Sequence, residues 1–257
     1  MLYIRSPNSI KILFLSVILY LSPVIADERG LAVGTYNSPP FSMQEDGEDI
    51  GLATEAVQNL LRESGITNFT ISYYPVSRGL FELENSRIDI YYPYVTKFSE
   101  NDDHFVLIGP ITRYRVALFV RKDYNQEVSL AAMRHLAVGA ERGSIGDLVL
   151  THMDMHVEQA SQEVSCLRMV IAQRISACAT GTLSGMYSAA INNIYDELRY
   201  VETDEYADMY IALRKSLPND VIEKIRKTYV SLKQANYFEI QQRDYEKKFA
   251  VFIKSMS

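Results

Sequence analysis

The 257-residue sequence predicts an α/β fold of two lobes joined by a two-strand hinge. Three observations carry that prediction. Short apolar runs alternate with amphipathic helical stretches, the pattern of a mainly parallel sheet covered by helices on both faces. Two similar runs, Val116–Arg121 (VALFVR) and Tyr210–Arg214 (YIALR), are each followed by a lysine and a break into a loop. A complete α/β unit lies between them, so the chain leaves one lobe, builds a second and returns. Two such crossing strands make a hinge, and ligand sites favour the cleft beside one.

The elements follow in order. Val33–Tyr36 reads as a strand and Asn37–Phe41, with its two prolines, as a turn. Over Thr54–Glu63, Ala56, Val57, Leu60 and Leu61 repeat at i, i+1, i+4, i+5, the stripe of an amphipathic helix. Gly65 ends it, as a glycine just past a helix does. Phe69–Tyr74 alternates as a strand, Arg78–Asn85 is helical, and Ile88–Tyr92 is a third strand. The inserted unit reads as strand His135–Gly139, a turn at Gly143, helix Asp147–Leu150 and strand Met153–Val157. Helix Gln162–Ala172, a turn at Gln173–Arg174 and strand Ile175–Thr180 complete it. Beyond the second hinge run, Asp220–Lys233 and Tyr245–Ile253 are helical and no strand follows.

The first segment carries Arg5 and Lys11 but no acid, then the apolar run Ile12 to Ile25, then Val24 and Ala26 at −3 and −1 of a cleavage site before Asp27. That order reads as a secretory signal peptide over residues 1–26 rather than an anchor, because a spanning helix needs about 20 apolar residues. Its removal takes away Arg5 and Lys11, leaving 24 Lys+Arg against 32 Asp+Glu and a net charge of −8. An acidic chain without a basic stripe argues against nucleic acid or an anionic membrane surface as partner.

Leu31–Phe41 (LAVGTYNSPPF), then Ser86–Tyr92 (SRIDIYY), then Val116–Asp123 (VALFVRKD), in that order and spacing, resemble family 3 of the bacterial extracellular solute-binding proteins. The resemblance runs from about Leu31 to Lys248. It implies a type II periplasmic-binding-protein-like fold, with lobe one formed by 27–118 and 212–257 and lobe two by 119–211. It implies a non-enzymatic periplasmic receptor that closes on a small polar or aromatic solute. An ABC permease or a sensor at the inner membrane would be its partner, with no cofactor and a monomeric state. Two alternatives stay open on the same fold: a sensory or partner-binding protein that no longer binds amino acids, and an enzyme such as a cyclohexadienyl dehydratase. A cleft carboxyl with a raised pKa would mark the enzyme.

Family 3 receptors hold an amino acid with an arginine in a T-x-x-R segment six residues before a phenylalanine. Here Thr96-Lys97-Phe98-Ser99 precedes Phe105 by that spacing, and Ser99 replaces the arginine. A serine cannot supply the two charge-assisted bonds of a guanidinium. In lobe two the family places an aspartate for the ligand ammonium, and Gly181 fills that position. The resemblance therefore implies weak binding or none for standard L-α-amino acids. Arg142–Gly146 resembles the family's glycine turn, where Ser144 and free N–H groups at a helix start suit an anion or a carbonyl, although a simple capped helix would look the same. Tyr36, Phe41, Tyr91, Tyr92, Tyr94 and Tyr114 crowd the lobe-one face of the expected cleft. Of these, Tyr36, Tyr92 and Tyr94 lie at or beyond strand ends and are expected to reach it. Arg78 and Arg113 are candidates for cleft charge, with a plain surface role as the alternative.

Cys166 and Cys178 belong to an exported chain, where disulfides persist. Each lies about 10 Å from the intervening turn, one along a helix and one along an antiparallel strand, so a bridge and two separate buried thiols both fit. His152 and His156 would chelate a metal on a helix, but a strand separates them by roughly 13 Å, and no metal site is expected. No G-x-S-x-G elbow, phosphate loop or Cys–His pair is present. Asn68-Phe69-Thr70 matches the short glycosylation pattern only.

Overall fold

The computed structural model describes residues 30–96 and 102–256. The signal-like segment 1–26 and Ser99 lie outside the described residues. Strand β1 (Leu31–Thr35) is followed by a hairpin of β2 (Met43–Glu45) and β3 (Glu48–Ile50), then α1 (Leu52–Glu63), β4 (Phe69–Tyr73), α2 (Val76–Glu84) and β5 (Ile90–Val95). The long strand β6 (Phe105–Arg121) leads into β7 (Val138–Glu141), α3 (Ile145–His152), β8 (Val157–Ala160), α4 (Glu163–Ile171), β9 (Ala177–Gly181) and α5 (Thr182–Ile191). A second long strand, β10 (Leu198–Arg214), returns, and α6 (Asn219–Gln234) and α7 (Tyr237–Met256) follow.

The sheet order is β4-β1-β5-β10-β6-β9-β7-β8. Its ends are parallel, β4-β1-β5 on one side and β9-β7-β8 on the other, while β5-β10, β10-β6 and β6-β9 are antiparallel. The ladder is continuous because β6 and β10, each 17 residues long, pair along most of their length. The two similar runs do not pair with each other: Val116–Arg121 lie opposite the start of β10, and Tyr210–Arg214 opposite the start of β6. The β10-β6 register breaks between Glu202 and Tyr206 and again between Met209 and Ile211. Sheet neighbours change across the first break. Val116–Phe119 of β6 pair with β9, whereas Met209–Leu213 of β10 pair with β5.

The conspicuous Ser86–Tyr92 segment has a structural task. Asp89 is 2 % exposed, and its carboxylate accepts from Ala32 N at 2.8 Å and from Arg214 Nε at 2.7 Å. One buried acid thus ties the start of β1 to the end of β10, and its bonds satisfy both oxygens, as burial of a charge requires.

Several expected elements shift. Strand β8 begins at Val157 rather than Met153, because α3 runs to His152 and Met153 caps it, with Asp154 in the left-handed region at φ 54°. His152 therefore ends a helix, and His156 lies beyond the turn, 3.2 Å from Glu158. Among the described residues no group of three His, Cys, Asp or Glu is placed to hold a metal. Helix α7 starts eight residues before the predicted Tyr245. Its Gln242 accepts from Thr112 Oγ1 and Arg113 N at 3.2 and 3.1 Å, and Tyr245 donates to Pro40 O at 2.9 Å. No helix among the described residues is long and apolar enough to cross a membrane.

Candidate functional site

A cavity of about 510 Å³ opens between the two halves of the sheet, beside β6 and β10. One wall comes from the β1 and β5 half: Tyr36, Ser38, Tyr91 and Tyr94. The other comes from the β9-β7 half: Glu141, Ser144, Glu163, Thr180 and Ser184, with Tyr114 and Met209 at the crossover. A cavity of equal volume lies on the opposite face of the β6-β10 ribbon, against α7, lined by Arg113, Asp208 and Gln242. Only the first is walled by tyrosines from one half and acids from the other.

The tyrosine wall owes its composition to a bulge. Tyr210 pairs with Tyr94 and Ala212 with Tyr91, so three steps along β5 match two along β10. One extra residue in β5 reverses the alternation and turns both Tyr91 and Tyr94 to the same face. Both pack in one cluster with Leu83 and Phe105, and the Tyr36 ring stacks on Tyr91 at 6.4 Å. Tyr92 points the other way. It is fully buried and donates to Thr54 Oγ1 at 3.1 Å, inside a hydroxyl network with Ser42 and Thr35. The expectation that Tyr92 reaches the cleft is corrected by that register. Tyr91 takes its place, and its buried hydroxyl has no hydrogen-bond partner among the described residues.

The remaining candidates divide. Tyr36, Tyr94 and Ser144 line the cleft. Phe41 is buried behind it, its ring 5.6 Å from Tyr114. Arg78 faces solvent on α2, paired with Glu82 and set over the Phe81 ring. Arg113 points to the far face of the ribbon, where it pairs with Asp208 at 2.8 Å and covers the Tyr206 ring at 4.0 Å. Neither arginine lines the cleft. Thr96 is half-buried just past β5, away from the cavity lining.

Gly181 sits under Tyr114. Its N–H donates to the Tyr114 hydroxyl at 2.7 Å, and a Cβ built there would stand 2.5 Å from Tyr114 Cζ and 2.7 Å from Ser184 Oγ. The tyrosine ring fills the volume that an aspartate side chain would need. The acid comes instead from the first residue of α4. Glu163 accepts from Thr180 Oγ1 and from Ser184 Oγ, the latter at 2.9 Å, and Ser184 Oγ lies 3.3 Å from the Tyr114 hydroxyl. Burial holds the Glu163 carboxyl above the usual carboxylate range, and the nearby Glu141 adds to the rise. Burial likewise lifts Glu141, partly offset by the Glu163 backbone N–H that its carboxylate accepts. Burial, with the Glu163 charge beside it, pushes Tyr114 up to about 12.

The glycine turn at α3 is closed internally. Gly143, at φ 74°, donates to Asp147 Oδ2 at 2.7 Å, Ser144 N bonds to Glu141 O, and Ser144 Oγ caps Asp147 N. Those donors are consumed, and the buried Asp147 carboxylate offsets the positive helix end. At this helix start the Asp147 carboxylate competes with the anion expected from the sequence.

Solved structures share this fold. A histidine kinase sensor domain with similarity to periplasmic binding proteins aligns at a TM-score of 0.68 and 17 % identity, covering 84 % of this chain and 95 % of that one. An ancestral arginine-binding protein bound to arginine aligns at 0.65 and 19 % identity, over 84 % and 97 %. The GluR0 ligand-binding core from Nostoc punctiforme in complex with L-glutamate aligns at 0.63 and 15 %, over 82 % and 96 %. The fold is the two-lobed type II periplasmic-binding-protein fold. No family model matches the chain, and no curated protein does.

One prediction concerns Glu163 in the unliganded protein. Its folded pKa is raised, so between the unfolded and folded values the native state binds more protons, and stability falls as pH rises through that window. Glu163→Gln removes this loss while its amide oxygen still accepts from Thr180 and Ser184. Its melting temperature is expected to exceed wild type near neutral pH and to converge with it in acid. Melting curves from acid to neutral pH check this, and a gap of the opposite sign at neutral pH would refute it.

Proposed function

We propose that the chain is a periplasmic receptor that closes its two lobes on a small solute, for an ABC-type importer or a membrane sensor. Removal of residues 1–26 delivers it there. Lobe one comprises 27–118 with 212–257 and lobe two 119–211; β6 and β10 change sheet partners a few residues before those boundaries, ahead of Val116 and between Glu202 and Met209. The observation that carries the reading is the cleft itself: about 510 Å³, walled by Tyr36, Tyr91 and Tyr94 from one lobe and by Ser144, Glu163 and Ser184 from the other. Aromatic faces with a few convergent polar groups suit a small amphipathic solute. Lobe closure buries such a ligand from both sides.

A thermal-shift screen with amino acids, amines, carboxylates and oligopeptides tests it. A solute at about 100 times its Kd stabilises the native state by about 2.7 kcal/mol, which for a chain of this size is a rise of roughly 5–10 °C. Standard L-α-amino acids are expected to give little or no shift, since the cleft lining holds neither an aspartate at Gly181 nor the Arg78 or Arg113 guanidinium. A screen in which no class shifts the melting temperature counts against a receptor and favours the sensory alternative, a partner-binding domain without a small ligand.

Glu163 also supports a second reading, because a cleft carboxyl raised by burial is the feature a dehydratase-like enzyme requires. The solved neighbours are binding proteins and a sensor domain. Following a bound solute by proton NMR for hours separates the two: a receptor returns it unchanged, and an enzyme converts it.

A further inference from the structure

The charged groups lining the cleft are Glu141, Arg142 and Glu163. Neither carboxylate has an ion-pair partner among the described residues: Glu163 is met by the hydroxyls of Thr180 and Ser184, and Glu141 by the backbone N–H of Glu163. Arg142 is exposed at the rim, and its Nε donates to Gln159 Oε1 at 3.1 Å. Two acids therefore face the cavity against one basic group that is turned toward the outer edge. Unpaired carboxylates in a desolvated wall are costly, and a cation supplied from outside removes that cost.

An independent feature lies on the opposite wall. Tyr91 is 1 % exposed and lines the cavity, yet its hydroxyl has no hydrogen-bond partner among the described residues. A buried polar group left without a bond costs about 1–3 kcal/mol, a cost that a polar ligand atom reaching it would relieve. The stacked rings of Tyr36 and Tyr91 and the nearby Tyr94 present aromatic surface, on which an apolar body packs and a cation is attracted.

Less is set out for a ligand carboxylate. At the α3 start Gly143, Ser144 and Asp147 spend their N–H groups on Asp147, Glu141 and Ser144, the Asp147 carboxylate sits at the helix end, and Gly181 spends its own N–H on Tyr114. Resting on the receptor reading, we infer that the cleft takes an organic cation, a primary amine or guanidinium on an apolar body, with no requirement for a carboxylate. The charged end sits against Glu163 and Glu141 on lobe two, and the body packs on Tyr36, Tyr91 and Tyr94.

Calorimetric titration of the purified protein with matched probes tests this. Tyramine, tyrosine and 3-(4-hydroxyphenyl)propionate share one body and differ in charge, and agmatine with arginine repeats the comparison for a guanidinium. Each amine is expected to bind at least about tenfold more tightly than its amino acid, and the anion not measurably. Glu163→Gln is expected to weaken the amines at least about tenfold while the protein stays folded. Wild-type affinity for amines should fall as Glu163 is protonated at low pH, and the Gln variant should lack that dependence. A purely structural Glu163 would leave the pH profile unchanged. The inference is overturned if an anion or zwitterion binds better than its amine, or if Glu163→Gln leaves amine affinity within about twofold. It is also overturned if no amine in a wider panel binds while another solute does, an outcome that spares the receptor reading. Silence from every class in the screen overturns both.

Discussion

Gly181→Asp is expected to destabilise the protein by about 3 kcal/mol or more and to confer no amino-acid binding. The backbone at Gly181 is extended, φ −66°, so the conformation itself admits any residue. The obstacle is steric and electrostatic. A Cβ would lie 2.5 and 2.6 Å from two Tyr114 ring atoms, and the Phe41 ring packs against Tyr114 at 5.6 Å, so the ring must shift out of its contacts to make space. Overpacking of this kind costs about 1–3 kcal/mol, and a second carboxylate beside the Glu163 network adds the cost of an unpaired buried charge. Urea unfolding measures the loss as a lower midpoint with an unchanged slope. Gly181→Asp combined with Tyr114→Ala should be less destabilised than the two single changes added, because the clash is shared. A Gly181→Asp protein as stable as wild type that binds an L-α-amino acid would show that the family's clamp was one residue away, and the account of Tyr114 would fall.

The second large effect is expected at the disulfide. Cys166 on α4 and Cys178 on β9 are bonded, 5.8 Å apart at Cα and twelve residues apart in sequence. Closing a loop of this length restricts the unfolded chain by about 3 kcal/mol. The bridge also has a local consequence. Glu163 opens the helix that carries Cys166, and Thr180 lies two residues past Cys178, so the cross-link holds the carboxylate against its hydroxyl partner. Cys166→Ala with Cys178→Ala is expected to lower the melting temperature by about 6–12 °C and to weaken solute binding as α4 loosens from β9. The same melting temperature and affinity in the double variant would contradict both roles.

Much of the fold was legible because its signals are local. The α1 stripe and its glycine stop, the strand–helix alternation on each side of the hinge, and the helix–turn–strand that pairs the cysteines all lie within windows of about a dozen residues. What escaped is distributed. Helix α5 is apolar nearly all round and carries Gly185 and two serines, so it shows no stripe, and its sequence reads as loop as easily as helix. The full lengths of β6 and β10 were hidden by Gly109-Pro110 in one and by the acidic Glu202–Glu205 stretch in the other, both of which read as breaks. The bulge that exchanges Tyr91 for Tyr92 depends on β10, more than a hundred residues away, and no alternation rule applied to β5 alone can find it. Glu163 looks like an ordinary acid in the first turn of a helix. Only its approach to Thr180 and Ser184, 17 and 21 residues on, makes it a cleft residue. The departure at Gly181 was visible in sequence, and its cause, the Tyr114 ring, was not.

The central claim is that two lobes close over a solute held between a tyrosine wall and Glu163. Small-angle scattering of the protein, with and without the tightest-binding solute from the screen, tests it most directly. The expected result is a smaller radius of gyration in the wild type at a solute concentration of about three times its Kd, and a much smaller contraction in Glu163→Gln at that same concentration, where about tenfold weaker binding leaves most of the variant empty. Saturation proved by calorimetry with an unchanged radius, or contraction undiminished in Glu163→Gln, would contradict it.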